Sequence, residues 1–466
     1  MDSFSACLIK ITGLFSYNPQ TDINRLKAAN YEPMPVVQLP GPLNSQEKEE
    51  ITGKTIKYEQ NLFYKEYRDL MPNIGSDSRD LDGSPHTDAT KIFLRQKEFK
   101  GEFSGKTGLL SFTSPAQEVF LFPDGVGLFS LRIQSPDNTP EAISNLTYIA
   151  RNFDSKVNYN DQPEQPWHAW ISQHVLAGIK IVGSDIEVDQ FSGSKFKLYM
   201  VFDHPDYLNW DSTQRQNLLY ELGTCTPIGS IDKKDHYAPS DSYFNGIIEK
   251  QKFSAFHNYE MLALLDSFTC LGTNNFKELE QNFYSFATWN KSYYYLYVLS
   301  LYVHYSLGKY NYKFMEAPVK YRRDFTHFLN KYNIRHLSFN FLPTLIYHKI
   351  REGLKIDEEL KSFEERLTKL SDTIQEDQNR RQGFLLTIIS VLSSFEAVNI
   401  ILGQVDNIQK QTGIGLGLFY TILCLLVLSA GLALFRFLYP QPFNKAIRQA
   451  KPYVRRIKAI FSPARK

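Results

Sequence analysis

Apolar and polar positions divide the chain into two regimes. Up to about residue 250, short apolar stretches alternate with polar positions and are broken by Gly, Pro, Asn and Asp. That pattern predicts strands with interspersed helices. Residues 5–17 alternate as a first strand, 91–96 form a short one, and 119–122 and 126–133 flank Pro123-Asp124-Gly125 as a hairpin. A helix is predicted over 141–152, with a capping residue and Pro140 in its first turn. Another is predicted over 167–181, then a strand over 196–202 and a helix over 212–222 opened by Asp211 or Ser212. From about 253 to 350 the pattern predicts mainly helix. Within it, residues 293–307 (YYYLYVLSLYVHYSL) are strongly apolar. At that length and with six tyrosines they read as a buried or interface helix, too short to span a bilayer.

The last hundred residues change character. Residues 384–403 are apolar apart from one ionisable group, Glu396, and residues 413–435 carry no charge. A helix of about 20 residues covers a hydrocarbon core of about 30 Å, so both are expected to span a membrane. Ahead of them Ile356, Leu360, Phe363, Leu367, Leu370 and Ile374 repeat at heptad spacing among charged residues, which predicts a long stalk helix. The expected fold is therefore an α+β cytosolic domain followed by a long stalk helix and a two-helix transmembrane hairpin. Its parts are an α/β domain (1–250), a mainly helical region (251–350), the stalk (351–383), two spans with a short outer loop at 404–412 (384–438), and a basic tail (439–466).

Charge sharpens this expectation. The formal net charge of +2 hides nine basic and no acidic residues from Arg436 onward, after an acidic body. With Arg380 and Arg381 before the first apolar stretch, the positive-inside rule puts both termini in the cytoplasm of a multi-pass protein of the cell inner membrane. Residues 441–462 interleave apolar and basic positions and suit the inner leaflet better than nucleic acid. The N-terminus lacks a basic segment before its apolar run and reads as a strand, not a secretory signal. Cys7, Cys225, Cys270 and Cys424 lie far apart, which excludes a disulfide scaffold and a CxxC zinc site and fits a reducing compartment.

A stalk helix, a first span beginning Leu386-Thr387-Ile388-Ile389, a short loop, a second span and a basic tail resemble the CorA-like two-span metal-ion transporters over residues 350–440. The resemblance implies a homo-oligomer, a pentamer in that family, in a lipid bilayer. It also implies a selectivity filter at the outer mouth, which an ungapped count puts at Gln404, Val405 and Asp406 and a shifted one at Ala397-Val398-Asn399. Neither is the family's Gly-Met-Asn. Helical spacing gives Thr387, Ser390, Ser394, Glu396 and Asn399 as pore-lining candidates. Glu396 either forms a cation-attracting ring or is hydrogen-bonded between helices.

Other chemistry is sparse. Gly101–Thr107 (GEFSGKT) has three residues between its glycines where a phosphate loop needs four. The acidic stretch 73–88 misses calcium-loop spacing, and His168 and His174 have no metal-binding frame. No catalytic residue and no enzyme activity is expected. One cluster suits a ligand: Lys309, Lys313, Lys320, Arg322 and Arg323 interleaved with aromatics including Tyr321. Cations hold phosphates and rings stack on bases, so the mixture fits a nucleotide, its alternative being a solvated basic face. The expected function is a CorA-like channel or effector gated by a cytosolic ligand. That ligand would be a nucleotide second messenger of type III CRISPR antiviral defence, with which part of the family is associated. The alternatives are a constitutive divalent-cation transporter of magnesium type and a membrane anchor.

Overall fold

The computed structural model describes residues 3–34, 62–71, 89–105, 108–159, 163–181, 195–273, 288–316, 318–334 and 336–412. They divide into two units, Met1–Phe363 and Glu364–Lys466. The described residues of the first form thirteen strands. In chain order they are β1 (Ala6–Ser16), β2 (Glu32–Pro33), β3 (Lys91–Arg95), β4 (Phe99–Gly105), β5 (Gly108–Ser114), β6 (Gln117–Leu121) and β7 (Val126–Ile133). Then follow β8 (Lys156–Asn158), β9 (Gln165–Pro166), β10 (Lys197–Asp203), β11 (Lys252–Phe253), β12 (Tyr259–Ala263) and β13 (Ser267–Gly272). Nine form one sheet in the order β11-β12-β13-β10-β1-β7-β6-β3-β2, and the other four form a small sheet, β5-β4-β8-β9. In the large sheet β10 and β13 pair in parallel and all other neighbours are antiparallel.

Central β1 is buried on both faces, and its period of two sorts the faces by chemistry. Ile9 and Ile11 face an apolar core with Phe129, Leu131, Leu198 and Met200. Lys10 and Thr12 face the other way, and the register sets Lys10 beside Tyr199 and Arg132 and Thr12 beside Ser130. The first core is closed by helix α1 (Pro140–Ala150), by α2 (Ser212–Thr224), and by Trp167 and Trp170, both fully buried. Thr139 caps α1 by accepting from Ala142 N–H. Asp211 and Gln214 make a reciprocal capping box at the start of α2.

The polar face of β1 is covered by α3 (Tyr294–Glu316). This is the apolar, tyrosine-rich stretch, and it is buried, with Tyr294, Tyr295, Tyr297 and Tyr302 all at 1 % exposure or less. Tyrosine suits the position because its ring packs while its hydroxyl meets a polar sheet. Tyr302 stacks on Phe122 at 3.7 Å, and the Tyr294 hydroxyl lies 2.8 Å from Thr12 Oγ1. Helices α4 (Pro318–Tyr332), α5 (Phe341–Gly353) and α6 (Ile356–Thr412) follow. Ile356, Leu360 and Phe363, the first half of the heptad pattern, are buried in the first unit, where Phe363 meets Phe325 at 3.9 Å.

Several expectations require correction. Residues 253–272 contribute strands to the large sheet, so that sheet runs across position 250; strands buried on both faces lose the alternation that would distinguish them from helix. The helix expected over 167–181 ends at Val175, where Ala177 and Gly178 take positive φ (52° and 84°).

The larger correction concerns the membrane. Among the described residues no helix is long and apolar enough to cross a bilayer, so the two-span transmembrane hairpin is not supported. Residues 384–403 lie in the second half of α6, a single 57-residue helix. It is continuous with the charged residues before it and with 404–412, which were expected to form an outer loop. A polar group also recurs at every turn of the stretch (Thr387, Ser390, Ser393, Glu396, Asn399). The expected second span and the basic tail lie outside the described residues. Placement in the cell inner membrane with cytoplasmic termini, and a pore lined by the first span, lose their basis with the hairpin.

Candidate functional site

A groove of about 1030 Å³ lies in the first unit between the small sheet and one end of the large one. One wall is the β4–β5 hairpin. Its register pairs Lys100 with Thr113 and Glu102 with Ser111, and alternation turns all four to the groove. The opposite face of the hairpin carries Phe99, Phe103 and Phe112 into the core, where Phe103 and Phe112 meet Trp167 edge-on at 4.9 and 5.5 Å. Gly101 lies between them because nothing larger fits. A Cβ there would come within 2.9 Å of the Phe112 ring and 3.3 Å of the Asn158 carbonyl.

The other wall is the start of β1 (Ala6, Cys7) and the chain after β7 (Gln134, Ser135, Asn138). Thr113 and Gln134 exchange backbone hydrogen bonds of 2.9 and 2.8 Å, fixing the hairpin to β7. Asn158 and Tyr159 close one end, Tyr159 being set edge-on against Phe99 and Trp170. The charges in the lining are Lys100 and Arg132 against Glu102, a net positive site surrounded by amides and hydroxyls. The Lys100–Glu98 pair at 3.4 Å is mostly solvated and restrains Lys100 little. Burial, reinforced by Asp203, pushes the Cys7 thiol up to about 12, so it is no nucleophile at neutral pH.

Arg132 also lines a second, smaller cavity of about 290 Å³ under α3, together with Lys10, Glu118, Ser130 and Asn290. Lys10 Nζ donates to Glu118 Oε2 at 2.9 Å and to the Asn290 carbonyl at 2.8 Å, and it lies 3.9 Å above the Tyr294 ring. Burial lowers the Lys10 ammonium to about 8, against the pull of Glu118. Burial likewise lowers the Arg132 guanidinium, again opposed by Glu118. Asn290 belongs to a π-helical turn, Thr288–Tyr293, that leads directly into α3. The Tyr199 hydroxyl bonds the Trp289 carbonyl of the same turn at 3.0 Å. Single π-helical turns are rare and recur at functional positions.

The nucleotide cluster expected at 309–323 is distributed along α3 and α4. Lys309 donates to the Asp124 carbonyl at 3.3 Å and so ties α3 to the β6–β7 turn. Lys313 lies 5.4 Å over the Tyr321 ring, while Arg322 and Arg323 are exposed on α4. The Lys320 side chain is outside the described residues, and neither cavity is lined by any member of the cluster. Of the pore candidates, the Thr387 and Ser390 hydroxyls bond back to the Gly383 and Leu386 carbonyls, and Glu396 is exposed. Gln404, Val405 and Asp406 are helical, and their side chains, with those of Ser394 and Asn399, are outside the described residues. Among the described residues no group of three or more His, Cys, Asp or Glu side chains is placed to hold a metal ion.

Compared with protein-family models, curated proteins and solved structures, the chain matches none. The groove escaped sequence reasoning because its residues come from five separate runs of the chain. For the inner cavity one signal was present: Lys10 is the single charged residue of β1, and a charge in a buried strand requires a partner.

Proposed function

We propose that the chain is a ligand-responsive effector whose first unit binds an anionic, nucleotide-class ligand in the groove between the small and large sheets. The observation that carries this reading is the groove itself. A concavity of about 1030 Å³ lined by two cations, one carboxylate and several amides and hydroxyls suits a phosphorylated, polar ligand. Its size is at the upper end of small-molecule sites, which run to about 1,000 Å³. Lys100 and Arg132 supply charge-assisted hydrogen bonds to phosphate, and Glu102, Asn138 and Asn158 offer acceptors and donors to sugar or base. Helix α6, with heptad spacing through Leu367, Leu370 and Ile374 beyond the first unit, suits self-association into a homo-oligomer.

Calorimetry of the full chain against ATP and cyclic tetra-adenylate tests the reading. Binding of at least one, weakened about tenfold or more by Lys100→Glu and unchanged by Arg322→Ala/Arg323→Ala, supports the groove. Loss in the Arg322/Arg323 variant alone moves the site to α4.

A further inference from the structure

The groove and α3 meet at one residue, Arg132, and behind it stands a short series of buried polar contacts. Arg132 lines the groove and also the inner cavity, where its charge is opposed by Glu118. Glu118 holds Lys10, and Lys10 donates to the Asn290 carbonyl in the π-helical turn that begins α3. Two parallel contacts anchor the same turn and helix to the sheet: Tyr199 to the Trp289 carbonyl at 3.0 Å, and Thr12 to the Tyr294 hydroxyl at 2.8 Å. The sheet face and the turn are therefore joined by polar groups, where packing alone would be insensitive to charge.

From this arrangement we infer that Arg132, Glu118 and Lys10 form a relay that reports occupancy of the groove to the π-helical turn and hence to α3. The inference rests on the groove binding an anion, as proposed above. Arg132 and Glu118 line the same inner cavity, so an anion beside Arg132 offsets the positive charge that Glu118 faces there. Glu118 then engages Lys10 more strongly, and the donor that Lys10 presents to the Asn290 carbonyl is withdrawn. A π-helical turn carries one residue more than the α-helical ladder accommodates, so it has a neighbouring arrangement available when a side chain stops holding its carbonyl. The turn is thus the element with two states that such coupling requires. At its far side α3 contacts the start of α6, where His304 Nδ1 lies 3.6 Å from Glu359 Oε2. The signal therefore reaches the long helix within the first unit.

Linkage makes the coupling reciprocal, so a change in the relay must alter affinity in the groove even though Glu118, Thr12 and Tyr199 do not line it. The test combines calorimetry and hydrogen–deuterium exchange on the full chain, with ATP and cyclic tetra-adenylate as probes. The expected result is at least a fivefold shift in Kd for the bound probe in Glu118→Gln. A threefold or larger change in exchange over residues 288–300 should accompany probe binding in the wild type. Tyr199→Phe and Thr12→Val, which keep the packing, serve if Glu118→Gln does not fold, and they should shift the same Kd in the same direction. If a probe binds the wild type but these variants leave its Kd within twofold and exchange at 288–300 is unmoved, the relay is overturned while the groove reading stands. If neither probe binds the wild type, both are overturned.

Discussion

Lys10 Nζ lies 2.9 Å from Glu118 Oε2, with the two side chains only 2 % and 8 % exposed. The pair sits on the sheet face covered by α3, and each partner is costly alone. Removing one member of a buried pair leaves an uncompensated charge, whereas replacing both with apolar groups is often neutral. Lys10→Met should therefore destabilise the first unit by about 3–5 kcal/mol, and Lys10→Met/Glu118→Leu should recover most of that loss. Urea unfolding of the wild type, both single variants and the double variant checks it. An additive double variant would mean that the two groups are not coupled.

Burial holds the Lys10 ammonium at about 8, below its ordinary 10.5, so the unfolded chain binds this proton more tightly than the folded one. Between those values the unfolded state carries more protons, and the Lys10 contribution to stability must rise with pH. The slope is at most about 1.4 kcal/mol per pH unit for one proton. Buried Cys225 and Cys270, whose thiols are pushed up by burial, act in the opposite direction as pH rises. The difference between wild type and Lys10→Met isolates the lysine. That difference should move in favour of the wild type from pH 8 to pH 9.5, and a flat difference would contradict the assignment.

Gly101 lines the groove at the point where β4 packs closely on Phe112. Gly101→Val places atoms against the Phe112 ring and the Asn158 carbonyl, and overpacking of this kind costs about 1–3 kcal/mol. Thermal unfolding should show a lower Tm, with nucleotide binding weakened in the same variant. Substitution of Gly246, which has open space around it, should leave both unchanged.

Much of the fold was legible because local chemistry and global structure agree there. The β6–β7 hairpin followed from Pro123-Asp124-Gly125, α2 from Asp211, and the burial of α3 from its tyrosines. Strands β12 and β13 were misread as helix because their inner and outer faces are both buried, which removes the period-two signal. The membrane hairpin was misread for a related reason. Windowed apolarity over 384–403 does not register that the helix continues through 404–412 or that a polar group recurs at each turn. The groove was not legible because Cys7, Lys100, Ser111 and Arg132 are brought together by register and sheet order, and sequence spacing carries no trace of either.

Helix α2 offers a local check on the capping argument. Asp211→Ala removes an acceptor for the Gln214 N–H and half of a reciprocal box, and should cost about 0.5–2 kcal/mol. Asp211→Asn, which keeps the acceptor, should restore most of it in the same urea titration.

The claim at the centre is that the groove beside Lys100 and Arg132 binds a nucleotide-class anion. Its most direct test is titration calorimetry of the full chain with ATP and with cyclic tetra-adenylate, in the wild type and in Lys100→Glu. The account expects saturable binding of at least one of them to the wild type, weakened about tenfold or more by the charge reversal. Equal binding in both proteins, or none to the wild type, would contradict it.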